Sequence, residues 1–266
     1  MKKTGKAVKA KDKASGRKSV VEHLEELRKR LIISIGSFLG LFIVFIILPD
    51  FSFADSYGAR LMKFIQGYML GNIKGAAALN LVFLDPLEPV FTVMKLSALA
   101  TLVVLAPLFV YQVYAYLKPA FTKKTSNYLF VLMLGFEIFF ILGAVFSFCL
   151  LIPASFDILI RFGLSTGALP ALSMGKFSDM FLWMFLLFTL PFELPVLIGV
   201  LSKAGIVTRR MLTKIRKPVY LGLVIFAAAV TPDPTIFSMS LLSVLLIILF
   251  EFGIILSYFF EKGENK

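Results

Sequence analysis

The chain has 266 residues, of which 59% are hydrophobic and only 17% charged, below the roughly 25% usual in a soluble domain. With a mean hydropathy of +0.89 most of it belongs in lipid, so one membrane domain takes the place of any count of soluble ones. The formal net charge of +12 invites nucleic-acid binding, but the basic residues fall where membrane topology puts them, and the single cysteine, Cys149, excludes a disulfide framework within the chain.

Residues 1–18 are Lys-rich and free of aromatics, so this tail is expected to be disordered and to lie against anionic lipid headgroups. It has no apolar stretch of its own and is not read as a cleavable signal peptide. The membrane domain is placed at 19–262. Ser19 and Glu22 stand in a capping-box arrangement that starts an amphipathic helix through SVVEHLEELRKR. There Glu22 and Glu26 share one helical face with Glu25 beside them, followed by Arg28, Lys29 and Arg30. Two readings stand: a solvated face with an attractive Glu26–Arg30 pair, or a carboxylate patch for a cationic ligand, since arginine pairs bidentately with carboxylates.

At about 20 apolar residues per crossing, six spans are read at 31–48, 90–117, 128–152, 180–201, 218–230 and 236–260. Between the first two, Leu61, Met62, Phe64, Ile65, Tyr68 and Met69 recur at helical spacing, which predicts a helix lying in the interface. The last two spans are separated only by TPDPT, a turn in which Asp233 can bond nearby backbone donors. Both read as short: the fifth has 13 residues, about 20 Å of helix, and the sixth is interrupted by Glu251. Of the 28 Lys and Arg, 22 fall in the two ends and the even-numbered connections, which places both termini in the cytoplasm.

No catalytic or metal-binding constellation is present: the one histidine is His23, and no Gly-rich phosphate loop follows a strand. What stands out is acid in apolar segments, namely Glu137, Glu193 and Glu251, because an intramembrane charge costs at least about 2.5 kcal/mol. Glu193 sits between Pro191 and Pro195, which disturb the helix at mid-span. For Glu137 function and structure are equally open. An ion-coupled secondary transporter would use Glu193 as a proton site, but no inverted repeat accompanies it; a structural scaffold is the other competitor.

Six ordered motifs then resemble the TatC family of the twin-arginine protein translocase from Ser19 to about Lys262. They are His23, Leu24, Glu26, Leu27, Arg28, Lys29 and Arg30; Pro107, Tyr111, Gln112, Pro119 and Ala120; Gly143, Phe146, Phe148 and Pro153; Phe192, Glu193, Pro195 and Val196; Thr231, Pro232 and Asp233; and Phe250 with Glu251. The resemblance implies an all-α, six-span, cup-shaped protein of the cytoplasmic (inner) membrane. It implies a receptor that binds twin-arginine signal peptides of folded precursors, works in an oligomeric complex with single-span TatA- and TatB-like partners, and draws on the proton-motive force. It implies neither enzyme activity nor a cofactor. Signal-peptide contacts carry over to Glu26 and Arg28, with Tyr116 where phenylalanine is common; partner or translocation roles carry over to Glu193, Asp233, Glu251, Pro107 and Gln112. One departure matters: Thr125 stands where relatives usually carry a loop glutamate, and Glu22 and Glu25 are the nearest acids in sequence that could replace it.

Overall fold

The computed structural model describes residues 20–50, 52–72, 80–118, 123–167, 171–203, 205–231 and 236–262. The basic tail, Ser19 with its capping box, the Pro119–Ala120 pair and Asp233 with most of the TPDPT turn lie outside them.

Helix α1 (Val20–Ile47) carries the acidic and basic turn into the first span. It packs chiefly on α3 and, further along, on α2. Ile32, Ile35 and Ile43 therefore stay exposed, as a lipid-facing surface requires. Helix α2 (Tyr57–Asn72) is the predicted interfacial helix, and it turns Met62, Ile65 and Met69 inward. Gly58 permits its close approach to α3, because a Cβ there would run into the Ser97 hydroxyl.

Helix α3 (Glu88–Leu117) matches the second expected span. The third span corrects the sequence reading. Helix α4 (Lys123–Phe146) passes through a π turn at Ser147–Leu151 into α5 (Ile152–Ser165), so the apolar helical run is Phe130–Ser165 and does not stop at Ile152. Pro153 does not end it because the Ile152 N–H bonds the Ser147 carbonyl five residues back; this widened turn lets Pro153 take the first turn of α5, where no N–H is needed.

Two three-residue strands, β1 (Asn80–Val82) and β2 (Ala171–Ser173), pair in parallel with Leu81 opposite Leu172. Each feeds a helix, β1 into α3 and β2 into α6 (Met174–Thr189), so those two helices run the same way. Glu88 fixes both starts: its carboxylate oxygens accept from the Leu84 and Gly175 backbone N–H groups, each at 2.7 Å.

After α6 a 3-10 turn, Leu190–Glu193, leads into α7 (Leu194–Lys203), and the whole run begins at Met174 rather than Met180. A short α8 (Arg209–Lys214) precedes α9 (Arg216–Val230) and α10 (Ile236–Lys262). Among the described residues, five helical runs are long and apolar enough to cross a membrane. The fifth expected span, α9, is not among them: it has 15 residues, about 22 Å of helix against roughly 30 Å of hydrocarbon. The expected shortness is confined to it: α10 has 27 residues and crosses Glu251 without a break.

Phe156, Phe177, Phe181 and Phe188 form the centre of the main core with Leu96 and Met69. Helix α10 packs along α7, where Gly253 brings it within contact of Pro195 and Ile198.

Candidate functional site

The start of α1 lies beside the end of α3, and the end of α7 beside the end of α10, where Ser202 and Ser257 share a 2.8 Å hydrogen bond. These ends form one basic face of the molecule, which also carries Arg209 stacked 4.9 Å from the Tyr258 ring.

At this face one node joins α1 to α3. The Arg30 guanidinium donates to Glu26 at 2.6 Å, to the Gln112 side-chain oxygen at 3.3 Å and to the Ala115 carbonyl at 2.9 Å. Glu26 and Arg30 are 17% and 22% exposed, so the pair is sheltered without being sealed. One turn before Glu26, the His23 ring stacks on Tyr116 at 4.5 Å. The predicted i,i+4 attraction is thus present, and it serves a contact between helices that the sequence did not reveal. Glu22, Glu25 and Arg28 are exposed around the node. Thr125 belongs to the first turn of α4, with its side chain outside the described residues.

At membrane depth the 3-10 turn holds Glu193 between Pro191 and Pro195. Both its carboxylate oxygens are buried with no hydrogen-bond partner among the described residues, and so is one oxygen of Glu137. The two side chains are electrostatic neighbours across α4 and the turn. Gly143 makes that closeness possible, since a Cβ there would lie 2.8 Å from the Phe192 Cβ. Two carboxylates out of water, near each other and without hydrogen-bond partners among the described residues are costly to bury, which sets this spot apart from the rest of the apolar interior.

Glu251 is placed differently. Arg216 pairs with it at 2.8 Å and the Tyr220 hydroxyl donates to its other oxygen, so the start of α9 is tied to α10. Pro107 lies inside α3 on an exposed position. Asp233 lies outside the described residues. Sequence reasoning missed Arg216 and Tyr220 because they sit 35 and 31 residues from Glu251 with no shared periodicity.

The family model of the Sec-independent protein translocase protein (TatC) matches residues 22–245. The chain is 30% identical over 248 residues to the Sec-independent protein translocase protein TatC of Aquifex aeolicus, covering 93% of this chain and 98% of that one. Against the TatC of Escherichia coli K12 the identity is 29%, covering 93% and 91%. Against TatCy of Bacillus subtilis it is 30%, covering 90% and 88%. Crystal structures of the twin-arginine translocase receptor TatC superpose on it with TM-scores of 0.70 and 0.69 at 28% and 29% identity, covering 90% and 88% of this chain.

Proposed function

Because the chain belongs to the TatC family, we propose that it is the receptor that recognises twin-arginine signal peptides through the node at Glu26, on a basic face directed to the cytoplasm. Membership makes it a non-enzymatic, multi-pass component of protein transport, and this replaces the ion-coupled transporter reading.

The observation that carries the assignment of the site is the meeting of Glu26, Arg30, Gln112 and Ala115 at one spot on the basic face. A carboxylate held in place by a guanidinium fork is pre-oriented, and a second guanidinium finds its oxygens without having to order a mobile side chain. Glu22, one turn before Glu26, and Glu25, next to it, are exposed and add anionic oxygens where Thr125 supplies none. Glu193 and Glu137 belong to a later step, in which a proton moves as single-span partners or cargo engage the membrane-embedded part. The distribution of basic residues supports cytoplasmic termini, and bacterial relatives support the cytoplasmic membrane as its place.

Precursors carrying either the twin arginines or two lysines, presented to membranes holding this protein, test the reading. Crosslinking to positions around Glu26 must favour the arginine form; equal yields from both precursors count against a receptor at this site.

A further inference from the structure

Helices α8 and α9 follow α10 as one path in the opposite direction. Arg209 lies 4.9 Å from the Tyr258 ring, Leu212 packs with Ile254 and Phe250, Arg216 pairs with Glu251, and the Tyr220 ring meets Phe250 edge-on at 6.0 Å. Pro218 has no N–H for the Lys214 carbonyl, and the break it leaves is the single residue Ile215. On either side the ladder continues, the Ile215 N–H bonding the Met211 carbonyl and the Val219 N–H the Ile215 carbonyl. Arg209–Val230 is therefore about 33 Å of helix, close to the roughly 30 Å of hydrocarbon that α9 alone does not reach. Helix α8 thus stands at the membrane boundary on the basic face.

The side turned away from α10 mixes charge with hydrocarbon. Leu212 is buried, whereas its neighbours Met211 and Ile215 are 52% and 45% exposed. Arg210, Lys214 and Lys217 are exposed beside them. Leu221 and Ile225, 62% and 60% exposed, carry the stripe onward along α9. Arg210, Lys214, Lys217, Leu221 and Ile225 recur every three or four residues, so they share one side of the path. Residues 202–217 hold six basic residues and no acid. Arg209 and Arg216 are committed to α10, while the side chains of Arg210, Lys214 and Lys217 have no partner among the described residues.

Cations are costly in hydrocarbon and apolar side chains are costly in water, and the zone of lipid headgroups relieves both. There long basic side chains reach outward to phosphates while their stems stay among acyl chains. Counted from Val230, Lys217 lies about 20 Å and Arg210 about 30 Å along the path, so the three cations straddle the edge of the hydrocarbon. Their sign selects an anionic lipid, whose surface attracts each Lys or Arg by about fivefold in affinity. The unbroken passage of the stripe into the apolar side of α9 favours lipid over an acidic segment of another protein.

We infer that this side of α8 and α9 is a seat for anionic phospholipid of the leaflet at the basic face. Arg210, Lys214 and Lys217 hold the phosphates, and Met211, Ile215 and Leu221 lie against the acyl chains. The seat is separate from the signal-peptide node and does not depend on the receptor reading. Lipid held there fixes the angle of α8 at the Ile215 break, next to the tie of Arg216 and Tyr220 to Glu251.

The test uses the full chain in vesicles that mix phosphatidylcholine with phosphatidylglycerol, one of the two dibrominated. Met211→Trp in a Trp183→Phe background puts the one tryptophan on the stripe, and its quenching reads which headgroup gathers there. Dibrominated phosphatidylglycerol should compete for the tryptophan on the order of tenfold more strongly than dibrominated phosphatidylcholine. Adding Arg210→Gln, Lys214→Gln and Lys217→Gln should bring that ratio near one. Adding instead Lys29→Gln, Lys63→Gln and Lys176→Gln, exposed cations on other helices, should leave it unchanged, and cooperative melting of each variant checks the fold. Equal quenching by the two lipids before any cation is removed overturns the seat and leaves the stripe to an acidic protein segment. A ratio unmoved by the stripe substitutions, lowered equally by the other three, or abolished by inorganic phosphate at matched ionic strength overturns it too.

Discussion

Glu26→Gln removes a charge and keeps the shape and the acceptor. The parent carboxylate already accepts from Arg30 at 2.6 Å, with both side chains partly sheltered. A charge-assisted hydrogen bond contributes roughly 1.5–3 kcal/mol, and an exposed pair about 0.2–1 kcal/mol. A second guanidinium arriving at a half-neutralised, half-sheltered carboxylate falls between these, at about 1–2 kcal/mol, or roughly five- to thirtyfold in affinity. The glutamine oxygen still accepts from Arg30, and Gln112 and Ala115 still hold it, so α1 stays on α3 and protein levels stay normal. The measurement is crosslinking of a twin-arginine precursor to membranes with matched protein levels, above the floor set by a twin-lysine precursor. If Glu26→Gln binds the arginine precursor as well as the parent, the node is structural and the receptor site lies elsewhere.

Glu22→Gln or Glu25→Gln should add a smaller loss to that of Glu26→Gln, under about threefold each because both acids are exposed, and Thr125→Glu should restore part of it in the same assay. Glu193→Ala should stop export of a folded reporter while leaving precursor crosslinking intact; full export at normal protein levels removes Glu193 from the mechanism. Gly143→Ala forces a methyl group to 2.8 Å from the Phe192 Cβ, so it should cost about 1–3 kcal/mol of packing, seen as a lower Tm of the purified protein, and should impair export with Glu193 itself intact. Glu251→Gln weakens the tie to Arg216 and Tyr220 and should lower Tm without changing precursor binding.

Much of the membrane framework was legible because apolar runs of span length leave few alternatives, and α3 matches its expected range to within two residues at either end. The end of the third span was not, since Pro153 reads as a stop and only the π turn at Ser147–Leu151 explains why it is none. Strands of three residues, NLV and ALS, carry too little pattern to be seen. Glu26, Glu193 and Glu251 stood out as acids in unusual places, but their neighbours did not. Gln112 meets Arg30 across 82 residues, and Glu88 meets Gly175 across 87, and no local spacing encodes such meetings.

The pairing of β1 with β2 has a consequence for the order of assembly during synthesis. Asn80 finds its partner only in Ala171, and Glu88 its second donor only in Gly175. By the time either has left the ribosome, α1 through α5 have been made and threaded without that clasp. The growing chain therefore carries a strand edge with no mate through most of its insertion, and α3 gains its fixed relation to α6 in a single late closure. A ribosome-bound fragment ending before residue 171 would hold the first helices in the bilayer but not in their final register, so the finished arrangement is a property of the whole domain and not of its first half.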